Sequence, residues 1–201
     1  MLKAATVRAL VAVLGATSWA QTTGSSDVTA GDQRAGSPFL PFCPGDGSSG
    51  TCPCFNSGSP GHGCENSSTT GGALLTPSGI PSLSADTVQL TSSDEIPGAL
   101  SIVLQSDLTN LPLTYGDGIL CIWGNLKRLY VKHAVGGLVV VPRGAEPSIS
   151  ARSAALGDPI PAGARRNYQV YYRDASTTFC PGPSGGDTFN VSGAIAIEWG
   201  S

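Results

Sequence analysis

The sequence predicts an all-β protein, a β-sandwich of about eight short strands behind a disulfide-rich, irregular N-terminal segment. Three observations carry this prediction. Beyond position 80 the chain is a series of short apolar runs, alternating or continuous, broken by turn residues. Its 27 glycines and 15 prolines exceed a fifth of the 201 residues, which favours turns over long helices. Its six cysteines, four of them between positions 43 and 64, are an even set that reads as three disulfides in an exported chain.

Residues 1–20 read as a secretory signal peptide. Lys3 and Arg8 form a positive start, Ala9 to Ala16 a short apolar stretch, and Ser18-Trp19-Ala20 a small-residue cleavage site before Gln21. The apolar stretch is shorter than the roughly 20 residues a membrane span needs, and no later segment supplies one. Residues 21–41 are small and polar and read as a flexible leader. Residues 42–72 are rich in Gly, Ser and Cys and show no hydrophobic period, so cross-links must order them. Residues 73–201 form the sandwich domain.

Within that domain the strands follow in order. A weak strand is expected near 82–90. Leu100, Ile102 and Leu104 then alternate with Ser101, Val103 and Gln105. After a weak strand near 118–123, Leu129, Val131, His133 and Val135 alternate with Arg128, Tyr130 and Lys132. Val135-Gly136-Gly137-Leu138 is a two-residue turn predicted to pair 129–135 with 138–142, because Gly-Gly accepts the positive φ such turns need. A further weak strand is expected at 147–153. Tyr168, Val170 and Tyr172 alternate with Gln169, Tyr171 and Arg173, and Ile195, Ile197 and Trp199 close the domain. No helix of ordinary length is expected.

The cysteines are Cys43, Cys52, Cys54, Cys64, Cys121 and Cys180. Cys121 and Cys180 both lie near strand ends and are expected to pair; closing that loop stabilises by roughly 4 kcal/mol. A Cys52–Cys54 bond has poor geometry across one residue. The first four then pair as 43–52 with 54–64, or as 43–54 with 52–64. Cys52, Cys54, His62 and Cys64 would also make a zinc set. The oxidising compartment favours disulfides over that alternative.

Charge excludes one class of function. The chain carries 11 basic and 14 acidic residues, net −3, and loss of residues 1–20 removes two cations and no acid, giving −5. Nucleic-acid binding needs a clustered basic face, and a pI near 5.2 argues against one. Gly182-Pro183-Ser184-Gly185-Gly186 matches the hydrolase elbow in form but lacks the strand before and helix after that place such a serine. His133 has no identifiable acid or nucleophile beside it in sequence, so no catalytic residue is assigned. Asp46, Asp117 and Asp187 sit in glycine-rich loops that could hold calcium, although Asp-Gly is also an ordinary turn pair. A ligand surface is expected around Tyr130, Tyr171 and Trp123, with Arg128 and Arg173 beside them, because exposed rings near polar groups suit carbohydrate. Asn66-Ser67-Ser68 and Asn190-Val191-Ser192 fit glycosylation acceptors.

Several runs carry a resemblance. Phe42-Cys43-Pro44-Gly45-Asp46-Gly47-Ser48, Cys52-Pro53-Cys54-Phe55-Asn56 and Gly63-Cys64 are joined by Gly116-Asp117-Gly118-Ile119-Leu120-Cys121, Asn167 to Asp174 and Phe179-Cys180. Together, over about residues 42–199, they resemble an uncharacterised secreted Cys-rich β module common in planctomycete-type bacteria. The resemblance implies export and a β fold, and carries no activity. The expected function is therefore a non-catalytic extracellular module, structural, adhesive or assembling, in contact with a glycan, another surface protein or its own copies. A carbohydrate-binding domain, calcium-assisted or cofactor-free, and a hydrolase with an unrecognised site are the alternatives.

Overall fold

The computed structural model describes residues 36–182 and 185–201. The predicted signal peptide and residues 21–35 of the leader lie outside them. The elements are β1 (Phe39–Phe42), β2 (Leu74–Ser78), β3 (Gln89–Ser93), β4 (Leu100–Ser106), β5 (Leu108–Tyr115), β6 (Gly118–Trp123), β7 (Lys127–His133) and β8 (Val139–Val141). There follow α1 (Ile149–Ala155), β9 (Arg165–Arg173), β10 (Pro181–Gly182), β11 (Gly185–Gly186), β12 (Phe189–Val191) and β13 (Ala194–Glu198). Among the described residues the protein is all-β with one short helix. Among the described residues no helix is long and apolar enough to cross a membrane.

The central layer is an antiparallel sheet in the order β1-β13-β9-β4-β7, with β12 also on β9. One face packs on the β2-β3-β8 sheet and α1. Val103, Tyr168, Val170, Ile195, Ile197 and Trp199 meet Leu75, Leu90, Val139, Val141 and Ile149 there. The other face is partly covered by the disulfide segment and the β5–β6 hairpin, where Cys43, Cys52, Cys64, Ile119, Cys121 and Ile122 pack with Ala194 and Leu104. β9 and β13 are thus buried on both faces, which is why Arg166 to Val170 and Ala194 to Ile197 are continuously buried rather than alternating.

Several expectations are corrected. Residues 39–41, read as the end of the leader, belong to β1, which Phe39 ties to one core and Phe42 to the other. Residues 147–153 form α1 rather than a strand. Ser148 caps it by accepting from Ala151 N, and Ile149 and Ser153, one turn apart, face inward. The Gly136-Gly137 turn is present, with φ of 61° and 81°, and Val135 and Leu138 bond each other. The ladder stops at that pair, because β7 joins β4 and β8 joins β3 in a different sheet.

The disulfides are Cys43–Cys121, Cys52–Cys64 and Cys54–Cys180. The expected Cys121–Cys180 bond is absent, and of the two pairings weighed for the first four cysteines only Cys52–Cys64 occurs. The reason is that residues 42–72 lie on the sheet beside β6, so two of their cysteines bond forward into the β domain. Glycine permits that approach. A Cβ on Gly63 would stand 2.1 Å from Val191 O, and one on Gly45 2.2 Å from Cys64 N, so main chain packs on main chain.

Candidate binding groove

β4 supplies the floor. Its apolar residues Leu100, Ile102 and Leu104 do not face the main core; that side is taken by Ser101, Val103 and Gln105, all fully buried. The buried polar pair is satisfied there. Ser101 Oγ donates to Glu95 Oε2, and Gln105 Nε2 donates to Ser153 Oγ (2.6 Å) and Asp158 Oδ2 (2.9 Å) while its Oε1 accepts from Tyr168 (3.0 Å). The leucine–isoleucine face is left on the half-covered side of the sheet.

The β5–β6 hairpin forms one wall. It is held to the sheet by Gln169, a buried side chain of β9 that acts as a substitute strand neighbour for β6. Its Nε2 donates to Ile119 O (2.9 Å) and Ser192 O (2.7 Å), and its Oε1 accepts from Cys121 N (3.2 Å). The hairpin stops short of β7, and between them lies a groove of about 730 Å³ lined by Leu100, Ile102, Leu104, Leu120 and Leu126 with the rings of Tyr115, Tyr171 and Phe189. The rings interlock. Tyr115 meets Phe189 edge-on at 4.9 Å and Tyr171 at 6.3 Å, and Tyr171 lies against Phe189 at 5.1 Å. Gly116 makes this corner possible, since a Cβ there would stand 2.5 Å from the Phe189 ring.

Two guanidinium groups, Arg128 and Arg173, complete the lining, which holds no acidic side chain. Neither is in an ion pair; the ion pairs among the described residues are Lys132–Glu146 and Arg166–Asp158. A second hollow of about 620 Å³ between residues 83–87 and α1 has no ring and no cation in its lining.

Of the residues expected to bind ligand, Tyr171, Arg128 and Arg173 converge in the groove. Trp123, 52% exposed, pairs with Leu108 at the hairpin's far end and is outside the lining. Tyr130 is a correction. A register shift in the β4–β7 ladder turns both Leu129 and Tyr130 inward and leaves Val131 56% exposed. Tyr130 Oη donates to Pro147 O (2.6 Å), and burial raises its pKa. His133 shares its strand face with Val131, as the alternation predicts, and pairs with Leu100, but that face of β7 is exposed. Tyr115, Phe189 and the leucines were not foreseen. The available signal was β4 itself, whose more apolar alternate face is set against a polar one.

The loop aspartates do not make one site. Asp46 caps its own turn, with Oδ1 accepting from Ser48 N (2.9 Å) and Oγ (2.5 Å) and Oδ2 from Gly61 N (3.0 Å); the Ser48 hydroxyl, above all, lowers its pKa to about 2. Asp117 is 1% exposed with Oδ2 unpartnered, and burial, then the charges of Asp174 and Asp187, raise its pKa to about 7. Among the described residues no three His, Cys, Asp or Glu side chains are grouped to hold a metal ion. The sulfurs of the zinc alternative are in disulfides, and His62 Nδ1 sits 2.7 Å from Gly72 O. Ser184 lies outside the described residues; β10 and β11 around it form a hairpin, with no helix following. Both glycosylation motifs are buried at their asparagines. Asn66 Nδ2 donates to Thr70 Oγ1 (2.7 Å) and Asp94 O (3.0 Å), and Asn190 Nδ2 to Glu65 O (2.9 Å), so neither amide is open to a transferase in the folded chain.

In comparisons with protein-family models, curated proteins and solved structures, nothing matches this chain.

Proposed function

We propose that this protein is a secreted, non-catalytic extracellular module, adhesive or assembling in role, that takes its partner in the groove over β4. The observation that carries the reading is the placement of Leu100, Ile102 and Leu104. The most apolar alternate face of β4 is spent on an open trough while the polar face is buried and hydrogen-bonded. Leu100, Ile102 and Leu104 are half-buried there beside the rings of Tyr115, Tyr171 and Phe189, which gives the trough an apolar floor suited to a ligand. Export is supported by three disulfides and by the N-terminal signal pattern. The non-catalytic reading rests on the sequence, where the one match to a hydrolase elbow lacks its strand–helix setting and His133 has no identifiable acid or nucleophile beside it. The exposed Leu108, Leu111, Leu113 and Trp123 of the hairpin extend the apolar surface, which favours adhesion to a large partner.

A test uses the aryl sulfonate dye 8-anilinonaphthalene-1-sulfonate on the native, oxidised protein. The dye is expected to bind and brighten, and Ile102→Glu or Leu126→Glu to reduce that binding at least tenfold with unchanged far-ultraviolet circular dichroism. Equal dye binding by both folded variants would refute the groove as the binding surface.

A further inference from the structure

The groove's chemistry narrows what enters it, on the assumption that it is the binding surface. Its polar groups are almost all donors. Arg128 and Arg173 donate only, and the remaining polar side-chain atoms are the hydroxyls of Tyr115 and Tyr171. Neutral sugars present donors and acceptors together, and the side chains of this lining offer only two tyrosine hydroxyls as acceptors. An acceptor-rich, anionic ligand with an apolar body meets every part of it.

The cations are also spaced. Arg128 is paired with Leu104, and Arg173 follows Tyr172, the partner of Ser101, so it stands level with Leu100. They flank β4 from opposite sides at opposite ends of the floor. Four strand residues advance about 13 Å and two strand spacings add about 10 Å across, so the two Cα atoms lie about 16 Å apart on the diagonal. An extended peptide with acidic residues four positions apart, about 13 Å, presents both carboxylates on one face, lays the apolar side chain midway between them on the Leu100, Ile102 and Leu104 floor, and leaves the remaining distance to the arginine side chains. Arg–carboxylate pairing is bidentate, and it is stronger where the approach is apolar. The chain is net negative, so two unpaired arginines and no acid in one lining are a local reversal of its charge.

We infer that the groove recognises an extended segment of a partner protein in which two acidic residues flank a short apolar or aromatic run.

The experiment is calorimetric titration of the oxidised protein with the end-blocked peptide Gly-Asp-Leu-Phe-Leu-Asp-Gly, whose two Asp and central Phe share one face when extended, and with its Asn-for-Asp counterpart. The acidic peptide is expected to bind at least thirtyfold more tightly, and to weaken about tenfold in Arg128→Gln and in Arg173→Gln, which weaken the Asn peptide by less than threefold. Equal binding of the two peptides, or indifference to both arginine variants, overturns the inference. So does a failure of the acidic peptide while phosphatidylglycerol vesicles or a neutral oligosaccharide bind with sensitivity to Ile102→Glu; the groove then stands and its ligand class changes. If dye, peptide and vesicle binding are all insensitive to Ile102→Glu, the groove reading falls as well.

Discussion

Glu95 is a carboxyl 1% exposed, with one oxygen accepting from Ser101 and the other unpartnered. Burial raises its pKa from an ordinary 4.5 to about 7, against the lowering effect of its hydroxyl contacts. A raised carboxyl pKa means the folded state holds the proton longer than the unfolded chain. Its contribution is therefore full below about pH 4.5 and is lost as pH rises through about 7, at most about 3 kcal/mol. Asp117, also raised to about 7, acts in the same direction. Asp46 acts oppositely, supporting the fold above its ordinary range and losing that support as pH falls toward 2, and by little because it is near the surface. Urea unfolding at pH 5 and pH 8 is expected to show the oxidised protein less stable at the higher pH. Glu95→Gln, neutral at both, should be more stable than the parent at pH 8 and show a shallower fall. Parallel pH profiles for the two proteins would count against a buried, proton-holding Glu95.

At the scale of elements, the hairpin is the part with least claim to its place. β5 is exposed along its length, and β6 pairs with no other strand. Gln169 and the Cys43–Cys121 bond bring β6 down onto the sheet. Gln169→Leu keeps the volume and removes the amide, leaving Cys121 N, Ile119 O and Ser192 O without that partner. A loss of about 2–4 kcal/mol in unfolding free energy is expected, since buried backbone groups without partners cost about 1–3 kcal/mol each and part of that is recovered by relaxation. The same variant should lose dye binding in the groove, because Leu120 and Tyr115 ride on the hairpin. A stability change under 0.5 kcal/mol would show that the amide is not the clamp. Elements were legible where local chemistry dominates. Tyr168, Val170 and Tyr172 are strand residues and buried, although Gln169 between them is buried as well, and the Gly-Gly turn formed. The 147–153 segment was misread because Ala, Ser and Arg run behind a Ser cap, and its inward Ile149 and Ser153 are spaced for a helix.

For the whole molecule, the disulfides decide that the Cys-rich segment and the sandwich share one compact unit. The bonds close separations of 78, 12 and 126 residues. In the chain-entropy view each is worth roughly 3–5 kcal/mol, with the longest loops the most, though overlapping loops do not add. Non-reducing peptide mapping is expected to recover 43–121, 52–64 and 54–180. Replacing Cys54 and Cys180 together by serine should lower the melting temperature by 10 °C or more and speed proteolysis near residues 54 and 180. Recovery of a Cys121–Cys180 peptide would contradict the architecture described above.

The sequence alone determined the fold class, the cysteines' oxidation and three of the groove's residues, Tyr171, Arg128 and Arg173. Those follow from composition, alternation and compartment, which are local properties. Only the tertiary structure decided which cysteines meet, which face of β4 is covered, and that Tyr115 and Phe189 join Tyr171. These depend on contacts between residues up to 126 positions apart. A strand's alternation states that two faces differ, but the neighbours that fold over it determine which one is buried.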